Sequence, residues 1–181
     1  MARPRSPGPS RPSAIEAQFY RPDLLAKKMS ITAANATKKV SASAVVENIG
    51  VAAVSGPFKI AVYVDLHRGG VLTSYVQVFT VPASVTLHAR PVFTQALAFG
   101  PIGNTAIWQT QYATPKMEVP LHYRDVDGSY YDAGFLVDSD HDVSESNESN
   151  NYYTWPGTFW FTSPGAFRKK EPIVVQSPSI S

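Results

Sequence analysis

The 181-residue chain contains no cysteine. Disulfides, thiolate metal ligands and a cysteine nucleophile are therefore excluded, and the redox compartment leaves no mark. Charge is sparse: Asp, Glu, Lys and Arg make up 17% and the net charge is +2, against about 25% charged residues in an average globular domain. No stretch reaches the ~18 apolar residues of a membrane span, and Met1 to Pro12 lack the apolar run of a secretory signal. The four histidines, at 67, 88, 122 and 141, have no metal-ligand spacing and stand in no nucleophile motif, so they read as isolated surface groups. A nucleophile elbow, a phosphate-cradling glycine loop and a metalloprotease helix are also missing. These absences argue against an enzyme.

What remains is rich in sheet-forming residues. Hydrophobic residues make up 44% and aromatics 12%, with nine Tyr and nine Phe, a composition suited to pleated, half-buried strands. Domains commonly hold about 100–200 residues, so the length predicts one core with appendages. The charges are unevenly placed. Residues 1–40 hold eight Lys and Arg against Glu16 and Asp23, a balance of +6, whereas residues 125–148 hold eight acids and no base, a balance of −8. Such asymmetry steers a basic segment toward an acidic one, or leaves two solvated loops that never meet.

Residues 1–22 carry Pro4, Pro7, Pro9, Pro12 and Pro22 among Arg and Ser, and read as an extended arm. Residues 164–181 read as a tail. Between them the period is two, the signature of half-buried strands. Val40, Ala42, Ala44 and Val46 alternate with polar residues; Phe58, Ile60, Val62 and Val64 do the same; Val71 to Val81 follows after His67-Arg68-Gly69-Gly70. These three runs are predicted to be consecutive antiparallel strands. Residues 83–116 show no clean period and read as a long connection with one or two strands. Glu118 to Tyr123 and Tyr131 to Val137 are predicted to form a hairpin about Asp125-Val126-Asp127-Gly128, and a last strand spans about 151–162. Ile15 to Phe19 and Leu24 to Met29 are the best candidates for short helices. About seven strands at this spacing predict an all-β fold, an immunoglobulin-like antiparallel β-sandwich over 23–163 with extended N- and C-terminal arms.

Three pieces together resemble the CARDB family, a bacterial and archaeal cell-adhesion-related domain. Pro22-Asp23-Leu24 is similar to a frequent family opening. Asn48-Ile49-Gly50 with Gly56-Pro57-Phe58-Lys59-Ile60-Ala61-Val62-Tyr63 resembles the family pair N-x-G and G-P-F-x-V-x-x-Y. Val137-Asp138-Ser139-Asp140 followed by Val143 to Asn151 is similar to the family loop V-D-x-D-x-x-V-x-E-x-N-E-x-N-N. The resemblance spans roughly 22–163, with 83–116 departing from it. It implies a seven-strand sandwich and a role in adhesion, surface display or assembly, and it implies no particular ligand.

Two sets of site residues follow from residue chemistry. Asp138, Asp140, Asp142, Glu145 and Glu148 offer hard oxygens within one loop, the donors calcium takes at about 2.3–2.6 Å. The same loop lacks the Gly and Glu of the helix-loop-helix calcium pattern, since Val143 and Ser149 stand there. Its Asp and Asn side chains equally suit satisfying turn amides, with Asn147, Asn150 and Asn151 holding the loop. The second set is an interface: Arg3, Arg5, Arg11, Phe19 and Tyr20 on the arm, with Tyr153 and Trp155 predicted outward on the last strand. Nucleic-acid binding is disfavoured, because the arm has no interleaved aromatics before Phe19 and the remaining chain is not basic.

The function expected from sequence is that of a non-catalytic structural or interaction protein. It would be a subunit or decoration protein of a virion, shell or filament, or a part of an extracellular or cell-surface assembly, displaying its sandwich and tethered by its arms. Its partners would be other protein subunits, as a homo-oligomer or larger assembly. The alternative is an adhesion or carbohydrate-binding module with a glycan partner.

Overall fold

A computed structural model describes residues 20–34, 36–89, 109–162 and 166–169. The arm residues Arg3, Arg5, Arg11 and Phe19, the connection 90–108 and the tail 170–181 lie outside the described residues. Strands β1 (Leu24–Ala34), β2 (Lys39–Asn48), β7 (Gln111–Ala113) and β8 (Met117–Pro120) form one antiparallel sheet, in which β2 pairs with each of the other three. The second sheet runs in the order β12 (Ala166–Lys169), β11 (Phe159–Thr162), β9 (Tyr130–Val137), β4 (Phe58–Arg68), β5 (Val71–Val81), with β10 (Tyr152–Thr154) also on β9. Short strands β3 (Val54–Ser55) and β6 (Thr86–Leu87) pair separately. The fold is an antiparallel, immunoglobulin-like β-sandwich.

Alternation drives the two layers together. Val40, Ala42, Ala44 and Val46 on β2 are buried, as are Phe58, Ile60, Val62, Val64 and Leu66 on β4 and Tyr131, Ala133, Phe135 and Val137 on β9. One layer supplies mostly small side chains and the other large ones, so they interleave; each buried Val, Leu, Ile or Phe contributes about 1.5–3 kcal/mol. Phe159 and Phe161 complete an aromatic cluster with Tyr131, whose ring stacks on Phe159 at 5.4 Å and meets Phe161 edge-on at 6.0 Å.

Four expectations are corrected. Leu24 to Met29 is the start of β1, not a helix. A bulge between Ala26 and Lys28 moves the buried parity from Leu24 and Ala26 to Met29, which breaks the period-two pattern in sequence. The β2 run pairs within its own sheet and not with β4, because the chain changes layers between Asn48 and Phe58; β4 and β5 are the hairpin. Asp125 to Gly128 is not a hairpin turn either. Arg124–Asp127 forms one helical turn, α1, ended by Gly128 at φ 74°, and it carries the chain from β8 in one sheet to β9 in the other. Finally, the sandwich continues past residue 163, since β12 pairs with β11.

The crossing at α1 is fixed by a tyrosine corner. Tyr131 sits fully buried on β9 and its hydroxyl donates to the Pro120 carbonyl at 2.9 Å while accepting from the His122 amide at 2.8 Å. Burial pushes its phenol up to about 12, so it stays a neutral donor. Tyr131→Phe would leave a carbonyl and an amide unpartnered at this joint. We expect it to destabilise by about 1–3 kcal/mol in denaturant unfolding; a loss under about 0.5 kcal/mol, the range of surface substitutions, would show that the corner is dispensable.

Candidate functional site: a clasp at one pole and an open sheet edge

Residues 22–24, 48–50 and the end of the acidic loop, three of the segments that carry the family resemblance, meet at the start of β1. Asn48 is fully buried; its side-chain oxygen accepts from the amides of Asp23 (3.1 Å) and Gly50 (3.0 Å), and its amide donates to the carbonyls of Ala52 (2.8 Å) and Leu87 (3.0 Å). Gly50 is required by close approach, since a Cβ there would lie 2.5–2.6 Å from the backbone of residues 21–23. The acidic loop closes on the same strand. Glu145 accepts from the Leu24 amide and, at 2.8 Å, from the Asn151 side chain; the Ser146 amide donates to the Pro22 carbonyl, and Ser146 and Asn150 side chains donate to the Asp23 carboxylate.

Four of the five carboxylates expected to bind calcium, those of Asp138, Asp140, Glu145 and Glu148, are engaged by protein donors. Asp138, in a left-handed backbone conformation, accepts the Asp142 and Val143 amides, both at 3.0 Å. Asp140 pairs with the Lys59 ammonium, which holds its carboxyl below the ordinary range. Glu145 faces β1, and Glu148 accepts the Glu145 amide. The donors that do gather are Asp138, His141 and Glu148, with ligand atoms within 4.8 Å of one another. A set with one imidazole suits a borderline ion better than calcium. The loop's oxygens are largely spent on protein amides, the turn-satisfying role also weighed from sequence.

On the six-stranded sheet the aromatic parity is the reverse of that expected for Tyr153. Tyr153 stacks on buried Phe135 at 5.4 Å, and Trp155 meets buried Phe159 edge-on at 5.8 Å, so both pack against the core. The outward ring is Tyr152, whose hydroxyl lies 2.5 Å from that of Tyr63 with the rings nearly parallel. Gly134 permits this, because a Cβ there would collide with the Tyr63 ring. Burial and the Tyr152 contact raise the Tyr63 phenol, keeping it neutral. Tyr63, Asp65, Asp132, Tyr152, Thr154 and Trp155 line an open groove of about 580 Å³ on this outer face. Asp132 also bonds His67 at 2.8 Å, so that histidine is not isolated. Tyr20, from the predicted interface, is exposed.

The strand β5 lies where the sequence predicted it, and the feature missed is its exposure. Only Phe79 and Val81 of its eleven residues are buried, whereas Val71, Leu72, Val76 and Val78 are 63%, 55%, 63% and 51% exposed. Burial extends along β4 but reaches only the Phe79 to Val81 end of β5, which among the described residues is an edge strand. Residues 71–81 contain no charge, proline or glycine, the devices that normally blunt such an edge. That absence was the signal available in the sequence.

The clasp titrates. Burial pushes the Glu145 carboxyl up from the ordinary 4.5 to about 7, against the opposing pull of the Leu24 amide and Asn151. The folded protein thus holds this proton more tightly than the unfolded chain. Its contribution is complete below pH 4.5 and lost as pH rises through about 7. Raising pH from 5 to 8 should therefore remove roughly 2 kcal/mol, and Glu145→Gln should flatten that dependence, Asn151 turning its amide to present oxygen. A wild-type slope unchanged in the variant would assign the dependence elsewhere. Calcium added after chelation should leave the melting temperature unchanged; a rise growing with calcium concentration would restore the metal reading.

The CARDB family model matches residues 21–155. Among solved structures, the chain is similar to the crystal structure of a CARDB domain in complex with di-metal ions from Pyrococcus furiosus. Identity is 19%, over 76% of this chain and 92% of that one, with a TM-score of 0.40. No curated protein matches the chain. With the family model matched from before β1 through the whole of β10, the chain belongs to the CARDB family.

Proposed function

We propose that the chain is a non-catalytic interaction domain of a larger surface assembly, and that it engages protein partners through the outer face and free edge of its six-stranded sheet. The observation that carries this reading is β5, an uncharged edge strand with four exposed aliphatic side chains. A contiguous apolar stripe on such an edge favours association by main-chain pairing with side-chain packing on either face. The assembly in view is a virion, shell or filament, or a cell-surface layer. The basic residues of 1–22, balanced against the acids of 125–148, would add a tether of opposite charge.

A second reading is a glycan-binding module. It is favoured by the groove, where Tyr63 and Tyr152 present rings and hydroxyls beside the carboxylates of Asp65 and Asp132. Its volume falls in the range of about 300–1,000 Å³ usual for small-ligand sites.

Replacing Leu72 and Val78 together by Lys distinguishes the two. Both side chains are exposed, so stability should change by no more than about 0.5 kcal/mol per site. The variant should be lost from the high-mass particle or envelope fraction on sedimentation. Retention there, with glycan binding abolished by Tyr152→Ala, would move the function to the groove.

A further inference from the structure

We infer that the partner at β5 is a second copy of the same chain, joined edge to edge about a two-fold axis through Val76. This rests on the reading of β5 as an interaction edge and names its occupant. The hairpin geometry fixes which backbone groups are available. Gly69 and Gly70 both take positive φ (56° and 78°), as a two-residue turn of the I′ kind requires, so Arg68 and Val71 form its closing hydrogen-bonded pair. Bonding to β4 then falls on residues 71, 73, 75, 77, 79 and 81. The N–H and C=O groups of Leu72, Ser74, Val76, Val78 and Thr80 point to the open side, where among the described residues no strand pairs.

A second β5, antiparallel and centred on Val76, meets every one of those groups. Val76 lies opposite itself, Ser74 opposite Val78 of the other copy, and Leu72 opposite Thr80. The join makes about ten main-chain hydrogen bonds, the number carried by a standard interface. On the outer face the Val76 and Val78 side chains of both copies form one apolar stripe, backed on each side by Tyr63, the β4 neighbour of Val76. On the inner face exposed Val71 comes to lie opposite the other copy's Val81, and Thr73 opposite Phe79, so the exposure on both faces is relieved together.

Charge selects a copy over a foreign strand. Like or unpaired charges across a ladder are destabilising, and β5 offers no counter-charge along its length; its own copy presents none that needs one. The hairpin tip Arg68-Gly69-Gly70 falls beside the other copy's uncharged Pro82-Ala83-Ser84, and the one charge there, Arg68, is already paired with Asp127 of its own chain at 3.0 Å. The symmetry closes at two, leaving no further edge of this kind exposed.

The absence of native cysteine makes the test clean. In full-length Val76→Cys, the two Cα atoms would lie about 5.5 Å apart, within disulfide range, and mild oxidation should give a covalent dimer. Leu72→Cys would place its two cysteines roughly 27 Å apart along the ladder and should not cross-link. Sedimentation velocity of the unmodified chain should show twice the monomer mass, and Val76→Lys, which sets two like charges face to face, should return it to monomer with its circular dichroism unchanged. A chain that is monomeric up to its solubility limit, or that cross-links equally at both positions, overturns the inference. If it is monomeric yet the Leu72 and Val78 lysine variant still leaves the high-mass fraction, β5 binds a different strand, and the two-fold fails while the interaction edge stands. If the variant is also retained there, both fail.

Discussion

Asn48 holds the protein together at the point where four segments meet. Both polar atoms of its side chain are fully engaged, with two amides on its oxygen and two carbonyls on its nitrogen, and it is sealed from water. An amide so placed fixes the end of β2, the turn at Gly50, the opening of β1 and the Leu87 carbonyl of β6 at once. Any substitution strands several buried partners, each at about 1–3 kcal/mol. The acidic loop builds on this frame: it reaches the start of β1 only because Asn48 has set Asp23 and Leu24 in place, and Glu145 then seals that strand from the other side.

Most of the family resemblance serves this closure. Pro22-Asp23-Leu24, Asn48-x-Gly50 and the loop from Asp138 to Asn151 are all parts of the clasp, and their chemistry is directed at backbone groups of the same chain. The open edge of β5 and the groove beside Tyr63 use none of the loop or N-x-G residues. Those three segments of the resemblance therefore speak to how the sandwich is closed, whereas Tyr63, the last residue of the Gly56 to Tyr63 match, stands on the outer face and lines the groove.

Much of the sandwich was legible in the sequence because strict alternation survives in β4 and in the buried residues of β2, where one face meets the core. The failures have local causes. In β1 a single bulge reverses the parity midway and imitates a non-strand pattern. Asp125 to Gly128 carries ordinary hairpin residues, and nothing in those four letters says that the flanking strands belong to different sheets; Tyr131, six residues on from Asp125, holds that information through its hydroxyl. The direction of Tyr152 against Tyr153 depended on a one-residue register with β9, which no pattern within β10 specifies. The carboxylates of the loop were visible as a group, but their distribution between Lys59, backbone amides and β1 is a property of tertiary contact.

The clasp also sets an order on how the molecule can be made. The Leu24 amide and the Glu145 carboxylate are 121 residues apart in sequence, so β1 lacks this lock until residue 145 has emerged from the ribosome. Loop closure over such a separation is slow, and chains synthesised at about 5–20 residues per second leave β1 waiting for several seconds beside a partly built sheet. During that interval the pairings available locally are those of β1 with β2 and, once residue 81 is made, of β4 with β5 across its two-glycine turn. The edge that the finished protein leaves open is thus among the earliest surfaces it presents.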